Sequence, residues 1–301
     1  MFTILTLTGF LPLEKVMGRG KFLRKLACEV LSEDLARKLW GRLEIIGDIA
    51  IIRKPPEIDI EVLKPLGKAI LERLPYVKSV WVAVTPISGM YRVRDYVHIA
   101  GEPRSTTIYK EHGCLFKVDI RRVYVSPALN YEHIRIAKLV RDDEFVINMF
   151  AGAGLFSIII AKHARPEKVI SIDINPYAYE LMVHNVKLNK VEGIVEPVLG
   201  DAGEVIVNYE GMADRILMPL PELAFKYYPK AILALKDKGY IHVYEFVSTE
   251  KKSEALTIAT KRYEELSSSL NVKCRAEFAR VVRSVGPRYY QVVLDMFCIK
   301  K

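Results

Sequence analysis

From residue 146 onward, short apolar segments alternate with segments of helical spacing, and two glycines separate the first such pair. The apolar run Val146–Phe150 is followed by Gly152 and Gly154, and a helical pattern begins at Leu155. Strands that alternate with helices form right-handed crossovers in a mostly parallel sheet. Glycines at a strand-to-helix turn let the backbone bend sharply and let a ligand approach the main chain. The sequence therefore predicts an α/β domain with a ligand crevice at this turn.

The same alternation continues towards the C-terminus. After the strand Val146–Phe150, the periodicity predicts the helix Leu155–Lys162, the strand Val169–Ile172, the helix Ala178–Leu188, the strands Ile194–Leu199 and Arg215–Met218, the helix Phe225–Leu235, and the late strands Tyr240–Phe246 and Arg288–Phe297. We therefore expect a Rossmann-like fold over residues 136–301.

The first 135 residues have a mixed pattern that indicates an α+β region. It predicts helices at Phe22–Trp40 and Val62–Leu74, strands at Ile45–Ile52 and Val77–Thr85, and a hairpin of Thr106–Ile108 with Leu115–Val118 joined at His112-Gly113. We place the change between the two halves near Tyr131–Lys138. This gives an N-terminal segment 1–44, an α+β domain 45–135 and an α/β domain 136–301.

Two carboxylates follow the second and third strands of the α/β domain. Asp173 ends the second strand, 21 residues after Gly152, and Asp201 follows Gly200 at the end of the third. A carboxylate in the first position suits the two hydroxyls of a ribose, and the second lies where an adenine would bind. The pair of carboxylates therefore favours an adenosine-containing ligand.

Three kinds of ligand site compete for this pattern. A dinucleotide site prefers GxGxxG, but Gly154 is followed by Leu155-Phe156-Ser157 without a third glycine, and a P-loop is excluded because no GK[ST] follows. S-adenosylmethionine fits because its adenosine can occupy the same crevice and a short loop need not surround a pyrophosphate. A turn with only a structural role and a dinucleotide site stay open as alternatives.

The fourth strand ends in Met218-Pro219-Leu220-Pro221, a segment stiffened by two prolines. In methyltransferases that act on base nitrogens, a short Asn/Asp-Pro-Pro-like segment at this strand end presents acceptors to the target base. Proline fixes φ and has no N–H. We expect Pro219, Leu220 and Pro221 to contact the substrate, with an ordinary strand-to-helix turn as the alternative.

Charge and cysteine content limit the partners and the compartment. The chain has 45 Lys and Arg against 36 Asp and Glu, a net charge of +9, which favours a polyanionic partner without requiring one. None of the four cysteines forms a CxxC pair, so we expect reduced cysteines without a zinc site or a disulfide framework. The apolar N-terminus carries its charges after the apolar run, unlike a signal peptide, and no apolar run reaches about twenty residues. We expect a cytoplasmic protein that does not enter a membrane, with no obligatory protein partner indicated.

Taken in order, these motifs resemble the archaeal and eukaryotic tRNA (guanine-37-N1)-methyltransferases over about residues 45–300. The segments that carry the resemblance are YRVRDYVHIAGEPRSTTIYKEHGCLFKVDIRRVYVSPALNYEHIRIAKLV, EFVINMFAGAGLFSIIIAK, VISIDINPYAYELMVHNVKLNKV, LGD, ADRILMPLP, GYIHVYEF and VGPRYYQVVLD. Members of that family methylate N1 of the guanosine 3′ to the anticodon with S-adenosylmethionine. The resemblance implies a class I methyltransferase domain at 136–301 and an RNA-binding domain at 45–135.

The resemblance also implies roles for individual residues. Arg92 and Arg94 lie in a YRVRD run, where the first arginine is catalytic and the second contacts substrate. Tyr124 matches a tyrosine that organises the active site, and Glu132 matches the general base of the family. A nearby carboxylate is a suitable acceptor for the N1 proton of guanine, and Arg92 can stabilise negative charge that develops on O6. The alternatives are backbone-phosphate contacts for the two arginines, a half-buried strand aromatic for Tyr124, and surface salt bridges with His133 or Arg135 for Glu132.

The cofactor set that the resemblance implies spans four parts of the chain. Its members are His133, Phe150, Ala151, Gly152, Gly154, Asp173, Ile174, Asn175, Asp201 and Ala202. No metal site is expected.

Three positions depart from the family pattern. Asn148 stands where an acidic residue is usual, Leu155 interrupts GxGPF, and Pro219 replaces an asparagine that would accept from the guanine amino edge. The last change leaves room for a relative that methylates the tricyclic 4-demethylwyosine at the same tRNA position, alone or in addition. A related branch transfers an aminocarboxypropyl group, but the Asp173-Ile174-Asn175-Pro176 run resembles the methylating branch more.

Several clusters of basic residues are candidates for RNA contacts. They are Arg19–Lys25, Lys110, Arg121-Arg122 and Arg280–Arg283 with Arg288, the last beside Tyr289 and Tyr290. Arginines with aromatic residues suit single-stranded loops, and a stacked anticodon-loop base must be flipped out to react. Archaeal relatives carry a further small N-terminal domain, which we expect to be reduced or absent here, with more reliance on the anticodon arm of tRNA. A non-catalytic RNA-binding protein on the same fold is the competing hypothesis.

Overall fold

The computed structural model describes residues 18–300, which form two compact units. The first unit comprises the residues up to Tyr109 together with Asp119–Arg121, and the second comprises Lys110–Val118 and the residues from Arg122 onward. The boundary therefore lies upstream of residue 135. The side-chain amides of Asn185 and Asn189 hydrogen-bond the backbone of the segment Cys114–Asp119 at 2.6–3.0 Å. These bonds explain why the boundary lies upstream of that segment.

The first unit is a four-stranded sheet covered by helices. Its strands are β1 (Leu43–Ile46), β2 (Ile49–Arg53), β3 (Ser79–Ala83) and β4 (Tyr96–Gly101), and its helices are α1 (Arg19–Val30), α2 (Glu33–Lys38) and α3 (Lys64–Arg73). The sheet order is β1-β2-β3-β4, and only β2 and β3 are parallel. The apolar faces of α1 and α3 lie in one core with the strands. An α+β region is confirmed.

Two expectations for this unit were wrong in detail. The run Ile45–Ile52 is not one strand but a hairpin, because Gly47 turns the chain with φ of +57° and pairs Ile46 with Ile49. Gly47-Asp48 is a two-residue hairpin signal, but the apolar residues on both sides of it give the segment the pattern of one continuous strand. Residues 19–44 are not a separate segment either, since Leu23 and Leu26 are buried in the core of this unit. The expectations for residues 1–17 lie outside the described residues.

The second unit is built on a seven-stranded sheet. The hairpin of β5 (Thr106–Glu111) and β6 (Cys114–Asp119) precedes it, and residues 106–109 and 119 of this hairpin belong to the first unit. The other elements are α4 (Asn130–Leu139), β7 (Phe145–Asn148), α5 (Leu155–His163), β8 (Lys168–Asp173), α6 (Pro176–Leu188), β9 (Val195–Leu199), α7 (Ala202–Val205), β10 (Ala213–Met218), α8 (Pro221–Ala234), β11 (Leu235–Ser248), α9 (Lys252–Ser269), β12 (Val272–Gly286) and β13 (Tyr289–Lys300). The sheet order is β12-β13-β11-β10-β7-β8-β9, and the strands from β11 to β9 are parallel. A Rossmann-like α/β domain is confirmed.

The order of the strands places a crevice beside β7. The chain runs outward from β7 to β8 and β9 and then returns to add β10 and β11 on the other side. In open α/β sheets, ligands bind at the carboxyl ends of the strands where the winding reverses in this way. The glycine turn after β7 and the segment after β10 therefore meet at the predicted ligand edge.

The far edge of the sheet departs most from the sequence-based expectation. Helix α9 and the long edge strand β12 were not predicted, because both segments are rich in charged residues, although residues 272–278 of β12 alternate apolar and polar side chains as a half-buried strand does. The expectation that all four cysteines are reduced was also wrong. Cys274 on β12 lies directly opposite Cys298 on β13, and the two form a disulfide. Cys28 and Cys114 are free thiols.

A row of buried charges crosses this sheet from β13 to β7. Arg135 makes two hydrogen bonds to Asp295, whose other close neighbour is the Nδ1 of His242 at 2.6 Å. The Nε2 of His242 lies 2.6 Å from Arg215, which makes two hydrogen bonds of 2.7 and 2.9 Å to Glu144. Burial raises the pKa of Asp295, but His242 and Arg135 outweigh it and bring the pKa well below its ordinary range. The row is thus a set of satisfied buried charges, each of which depends on the next.

No helix among residues 18–300 has the length and apolar character needed to cross a membrane.

Breaking this row is expected to destabilise the second unit strongly. Arg215→Met removes a side chain that is 3% exposed and leaves Glu144 and His242 without their partner, so the free energy of unfolding should fall by about 3–5 kcal/mol. The matched variant is Arg165→Met, which breaks the exposed ion pair with Asp142. It should change the free energy of unfolding by less than about 1 kcal/mol. Urea unfolding of both variants is the measurement, and equal effects would contradict the expectation.

Candidate active site

The glycine turn between β7 and α5 is held in a backbone conformation that most residues avoid. Gly152 and Gly154 have φ of +57° and +89°, and Gly154 is the residue before the first turn of α5. A Cβ on Gly154 would come within 3.0 Å of Met182, whereas a Cβ on Gly152 would meet only the Tyr124 carbonyl, at 3.9 Å. Gly154 is therefore needed for packing, and Gly152 leaves open space beside the turn.

Asp173, at the end of β8, is bound to this turn. Its two carboxylate oxygens accept hydrogen bonds from the backbone N–H of Gly152 at 2.6 Å and of Asn175 at 2.9 Å. Burial raises the pKa of Asp173, and the two backbone hydrogen bonds oppose that rise. Asn175 in turn caps α6 by accepting from the N–H of Tyr177. The exposed side chain of Ile174 lies between these two polar residues in the sequence.

Asp201, after β9, forms the second acidic position. One of its oxygens accepts from the N–H of Gly203 and caps α7, and the other accepts from the hydroxyl of Tyr227 at 2.6 Å. Burial, together with this carboxylate, raises the pKa of Tyr227 to about 12. The ring of Phe150 meets Tyr227 edge-on, with 5.7 Å between centroids. An aromatic wall thus stands next to Asp201, and buried Ala202 follows it.

The segment after β10 has limited hydrogen-bonding capacity. Pro219 and Leu220 are half-buried, and Pro221 is the first residue of α8. The carbonyl of Leu220 already accepts from the N–H groups of Leu223 and Ala224. Because proline has no side-chain acceptor, residue 219 offers a base its main-chain carbonyl in place of an amide.

Asn148 ends β7 in full burial. Its Nδ2 donates to the Ser157 hydroxyl at 3.1 Å, and its Oδ1 accepts from the N–H of Phe150. An amide can make both bonds at once, whereas an ionised carboxylate has no hydrogen to donate. The neutral residue at this position therefore fits its neighbours.

Glu132, in the first turn of α4, has two carboxylate oxygens in different surroundings. The residue is 1% exposed. Its Oε2 accepts from the Nε of Arg135 at 2.9 Å and from the hydroxyl of Tyr244 at 3.0 Å. Its buried Oε1 makes no hydrogen bond within residues 18–300, although the Nη1 of Arg280 lies 3.2 Å away as an ion pair.

Tyr124 lies beside the glycine turn and is fixed from the edge strand β12. Arg283 donates to the Tyr124 hydroxyl at 3.2 Å, to the Ser126 hydroxyl at 3.1 Å and to the buried side chain of Gln291 at 2.7 Å. One guanidinium therefore holds the loop that precedes α4.

Three predicted residues, His133, Arg92 and Arg94, have surroundings different from those of the glycine turn and of Glu132. His133 is buried between the carboxylate of Glu111 and the ring of Phe156, whose centroid is 4.4 Å away. Arg92 and Arg94 belong to the first unit. Arg92 has φ of +55° in a tight turn and donates its N–H to Gly89. A bulky residue in this conformation is uncommon and stores backbone strain.

The other predicted residues lie in the second unit, where four further residues contact them that the sequence analysis did not place at the active site. These are Tyr227 beside Asp201, Tyr244 and Arg280 beside Glu132, and Arg283 beside Tyr124. All four come from elements distant in sequence from their partners, so no spacing pattern could have linked them. The basic run Arg280–Arg283 was the only available signal. Across residues 18–300, no three or more His, Cys, Asp or Glu side chains are grouped as metal ligands.

Comparisons with protein families now identify the fold of both parts of the chain. Residues 107–275 match the TRM5/TYW2 methyltransferase domain, and residues 23–105 match the TYW2 N-terminal domain. The chain belongs to the TRM5/TYW2 methyltransferase family. The division between these two matches agrees with the boundary between the compact units rather than with residue 135.

Two archaeal relatives that match most of the chain are named for a reaction at position 37 of tRNA. The chain is 46% identical over 258 residues to the tRNA 4-demethylwyosine(37)-methyltransferase Taw21 of Saccharolobus solfataricus, covering 86% of this chain and 94% of the relative. It is 39% identical over 283 residues to the tRNA (guanine(37)-N(1))-methyltransferase Trm5b of Pyrococcus abyssi, covering 94% of this chain and 82% of that relative. Both acceptor bases that the sequence suggested are thus represented among the relatives.

Solved structures of the family show the same fold. The crystal structure of Pyrococcus abyssi Trm5b matches with a TM-score of 0.80 at 38% identity, covering 90% of this chain and 79% of that one. A complex of aTrm5 with tRNALeu matches with a TM-score of 0.75 at 32% identity, covering 95% and 78%. Methanocaldococcus jannaschii TYW2 in complex with AdoMet matches with a TM-score of 0.66 at 26% identity, covering 86% and 100%.

The packing around the glycine turn leads to a stability prediction. Gly154→Ala forces alanine into a left-handed conformation and against Met182, so it should cost about 1–2 kcal/mol for the conformation and about 1 kcal/mol or more for overpacking. Gly113→Ala is the control, because Gly113 has φ of +79° but nothing within 4 Å of the added Cβ. Urea unfolding should show the larger loss in Gly154→Ala, and equal losses would contradict the packing argument.

Proposed function

We propose that this protein transfers the methyl group of S-adenosylmethionine to the base at position 37 of tRNA, 3′ of the anticodon. The observation that carries the proposal is the arrangement of Asp173 and Asp201 around an open glycine turn, at the edge where the sheet reverses its winding. Membership of the TRM5/TYW2 family supports the same reaction.

The residues at this edge fit an adenosine carrying a sulfonium side chain. Asp173 is suited to accept from the ribose hydroxyls, and the aromatic wall of Phe150 beside Asp201 is suited to the adenine. Gly152 leaves space for the ligand to approach the main chain. The remaining members of the proposed cofactor set are His133, Ala151, Gly154, Ile174, Asn175 and Ala202. When bound, S-adenosylmethionine supplies a methyl group attached to a positively charged sulfur.

The protein's own contribution to the chemistry is acid–base and electrostatic. Glu132 is proposed as the general base that removes the proton from N1 of guanine, and its burial keeps water from competing for this proton. Tyr124, fixed by Arg283, is proposed to organise the loop beside the cofactor. Arg92 is proposed to stabilise charge on O6 and Arg94 to contact the RNA.

Guanosine and 4-demethylwyosine are the two candidate acceptors. Guanosine N1 is the acceptor that the family resemblance indicates, and Pyrococcus abyssi Trm5b is named for that reaction. Two observations favour 4-demethylwyosine as the second candidate. Pro219 lacks the side-chain acceptor that suits the guanine amino group, and the 46% identical relative Taw21 is named for the tricyclic base. Pro219, Leu220 and Pro221 are proposed to line the acceptor side in both cases.

The partner in this proposal is the anticodon arm of tRNA. Edge strand β12 carries Arg275, Arg280 and Arg283, and Arg288 follows it in the turn to β13. The exposed side chains of Arg275 and Arg288 suit phosphate contacts, whereas Arg280 and Arg283 already contact Glu132 and Tyr124. Exposed Phe278 provides an apolar face for an unstacked base.

One assay separates the two acceptors and the non-catalytic alternative. The protein is incubated with labelled S-adenosylmethionine and with tRNA that carries guanosine, 4-demethylwyosine or adenosine at position 37, and the modified nucleoside is identified by mass. Label on the first, the second or both defines the substrate, and the adenosine tRNA is the negative control. No label on any tRNA, with no binding of millimolar S-adenosylmethionine by calorimetry, would favour a non-catalytic RNA-binding protein.

Removing the proposed base should separate turnover from binding. Glu132→Gln keeps the size of the side chain but cannot take up a proton, so turnover should fall by about 10²–10⁴-fold while the affinity for S-adenosylmethionine stays unchanged. The control is Glu265→Gln, on an exposed face of α9, which should leave both quantities as in the wild type. Turnover by Glu132→Gln at the wild-type rate would remove Glu132 from the mechanism.

A further inference from the structure

The two oxygens of the Glu132 carboxylate are occupied unequally. Oε2 accepts two hydrogen bonds, one from Arg135 and one from Tyr244, whereas buried Oε1 accepts none within residues 18–300 and has the Nη1 of Arg280 3.2 Å away as an ion pair. A carboxylate that serves as a base needs one oxygen with a lone pair that is not already shared with a donor. The asymmetry therefore marks Oε1 as the oxygen available to a proton.

We propose that Tyr244 and Arg135 are positioning residues that bind Glu132 through Oε2 and thereby present Oε1 as the atom that takes the proton from the acceptor base. The inference rests on the proposed function, in which Glu132 is the general base. It adds which oxygen acts and which side chains orient it.

The two donors hold the carboxylate from different elements of the fold. Arg135 lies one turn after Glu132 on α4, and Tyr244 lies on β11 in full burial. Two hydrogen bonds from fixed directions oppose rotation of the carboxylate, because any rotation breaks at least one of them. Arg135 is itself fixed by two hydrogen bonds of 2.6 and 3.1 Å to Asp295, which His242 holds from the other side.

The charges around Glu132 determine how its basicity responds to substitution. The groups that face it are Arg135 on α4, Tyr244 on β11 and Arg280 on β12, and Asp295 on β13 reaches it through Arg135. Two cations stabilise the ionised carboxylate, and Asp295 offsets one of them. Burial and the neighbouring carboxylate raise the pKa of Tyr244 well above its usual value, so its hydroxyl remains a donor throughout the working range.

Methyl transfer is a single displacement at the methyl carbon, and it is accompanied by loss of the N1 proton. With guanosine as acceptor, the N1 lone pair forms the bond to the methyl carbon, the carbon–sulfur bond breaks, and its electron pair stays on sulfur. The N1 proton passes to Oε1 of Glu132, which becomes a neutral carboxylic acid and later releases the proton to water. Oε2 keeps its two hydrogen bonds during this transfer, so Glu132 needs no reorientation.

Tyr244→Phe tests the proposal, and Tyr263→Phe is its matched control. Both variants remove a buried tyrosine hydroxyl that donates to a buried glutamate, Glu132 in the first case and Glu245 in the second. Both should lower the melting temperature to a similar degree. Only Tyr244→Phe should slow the single-turnover methyl-transfer rate, by about ten-fold or more, with the affinities for S-adenosylmethionine and tRNA unchanged. The acidic side of its pH–rate profile should move to higher pH, because the Glu132 carboxylate has lost a hydrogen-bond donor that favours its charged form.

Asp295→Asn provides an independent test with the opposite sign. The substitution keeps the shape of the side chain but removes the negative charge that offsets Arg135. The remaining cation should favour the ionised form of Glu132 and make it a weaker base. The single-turnover rate should therefore fall, while the acidic side of the pH–rate profile moves to lower pH. A general loss of folding stability is not expected to move the acidic side of the pH–rate profile in opposite directions in the two variants.

The outcomes distinguish the inference from the function on which it rests. An inactive wild-type protein, tested with both guanosine and 4-demethylwyosine tRNA, would contradict the proposed function itself. An active wild type in which Tyr244→Phe behaves like Tyr263→Phe, or in which neither variant displaces the profile, would overturn the positioning role and leave the function intact.

Discussion

A row of buried charges is the feature on which the site depends most. Glu132 is bound by Arg135, Arg135 by Asp295, Asp295 by His242, and His242 contacts Arg215. Each of these groups would be costly to bury alone, and each is tolerable only because the next one is present. The row connects α4 to three strands of the sheet. The orientation of the proposed base is therefore a property of the whole second unit rather than of a flexible loop.

The cofactor side is organised by main-chain geometry instead of charge. Gly152 and Gly154 adopt left-handed conformations that open the turn after β7, and Asp173 is held against that turn by the N–H of Gly152. The carboxylate of Asp201 caps α7 with one oxygen and accepts a hydrogen bond from the Tyr227 hydroxyl with the other. Rigid elements thus fix both acidic side chains before any ligand binds, which reduces the cost of ordering them on binding.

Much of the fold and part of the site could be predicted from the sequence. The strands β7, β8 and β10 each contain a short apolar run, and the turns after them contain glycine or proline, so local signals located the Gly152 turn and Asp173. Edge strand β12 was missed because it is partly exposed and rich in arginine, although residues 272–278 alternate apolar and polar side chains. The hairpin at Gly47 was missed because apolar residues surround the turn on both sides.

The sequence by itself determined the α/β class, the ligand edge of the sheet and the two acidic positions, because each is encoded within a few neighbouring residues. Only the tertiary structure decided that Tyr244 and Arg135 share one oxygen of Glu132, that Arg283 holds Tyr124, and that Cys274 pairs with Cys298. The Tyr244, Arg283 and cysteine contacts join residues between 24 and 159 positions apart. Such contacts depend on strand order and register, which local patterns do not specify.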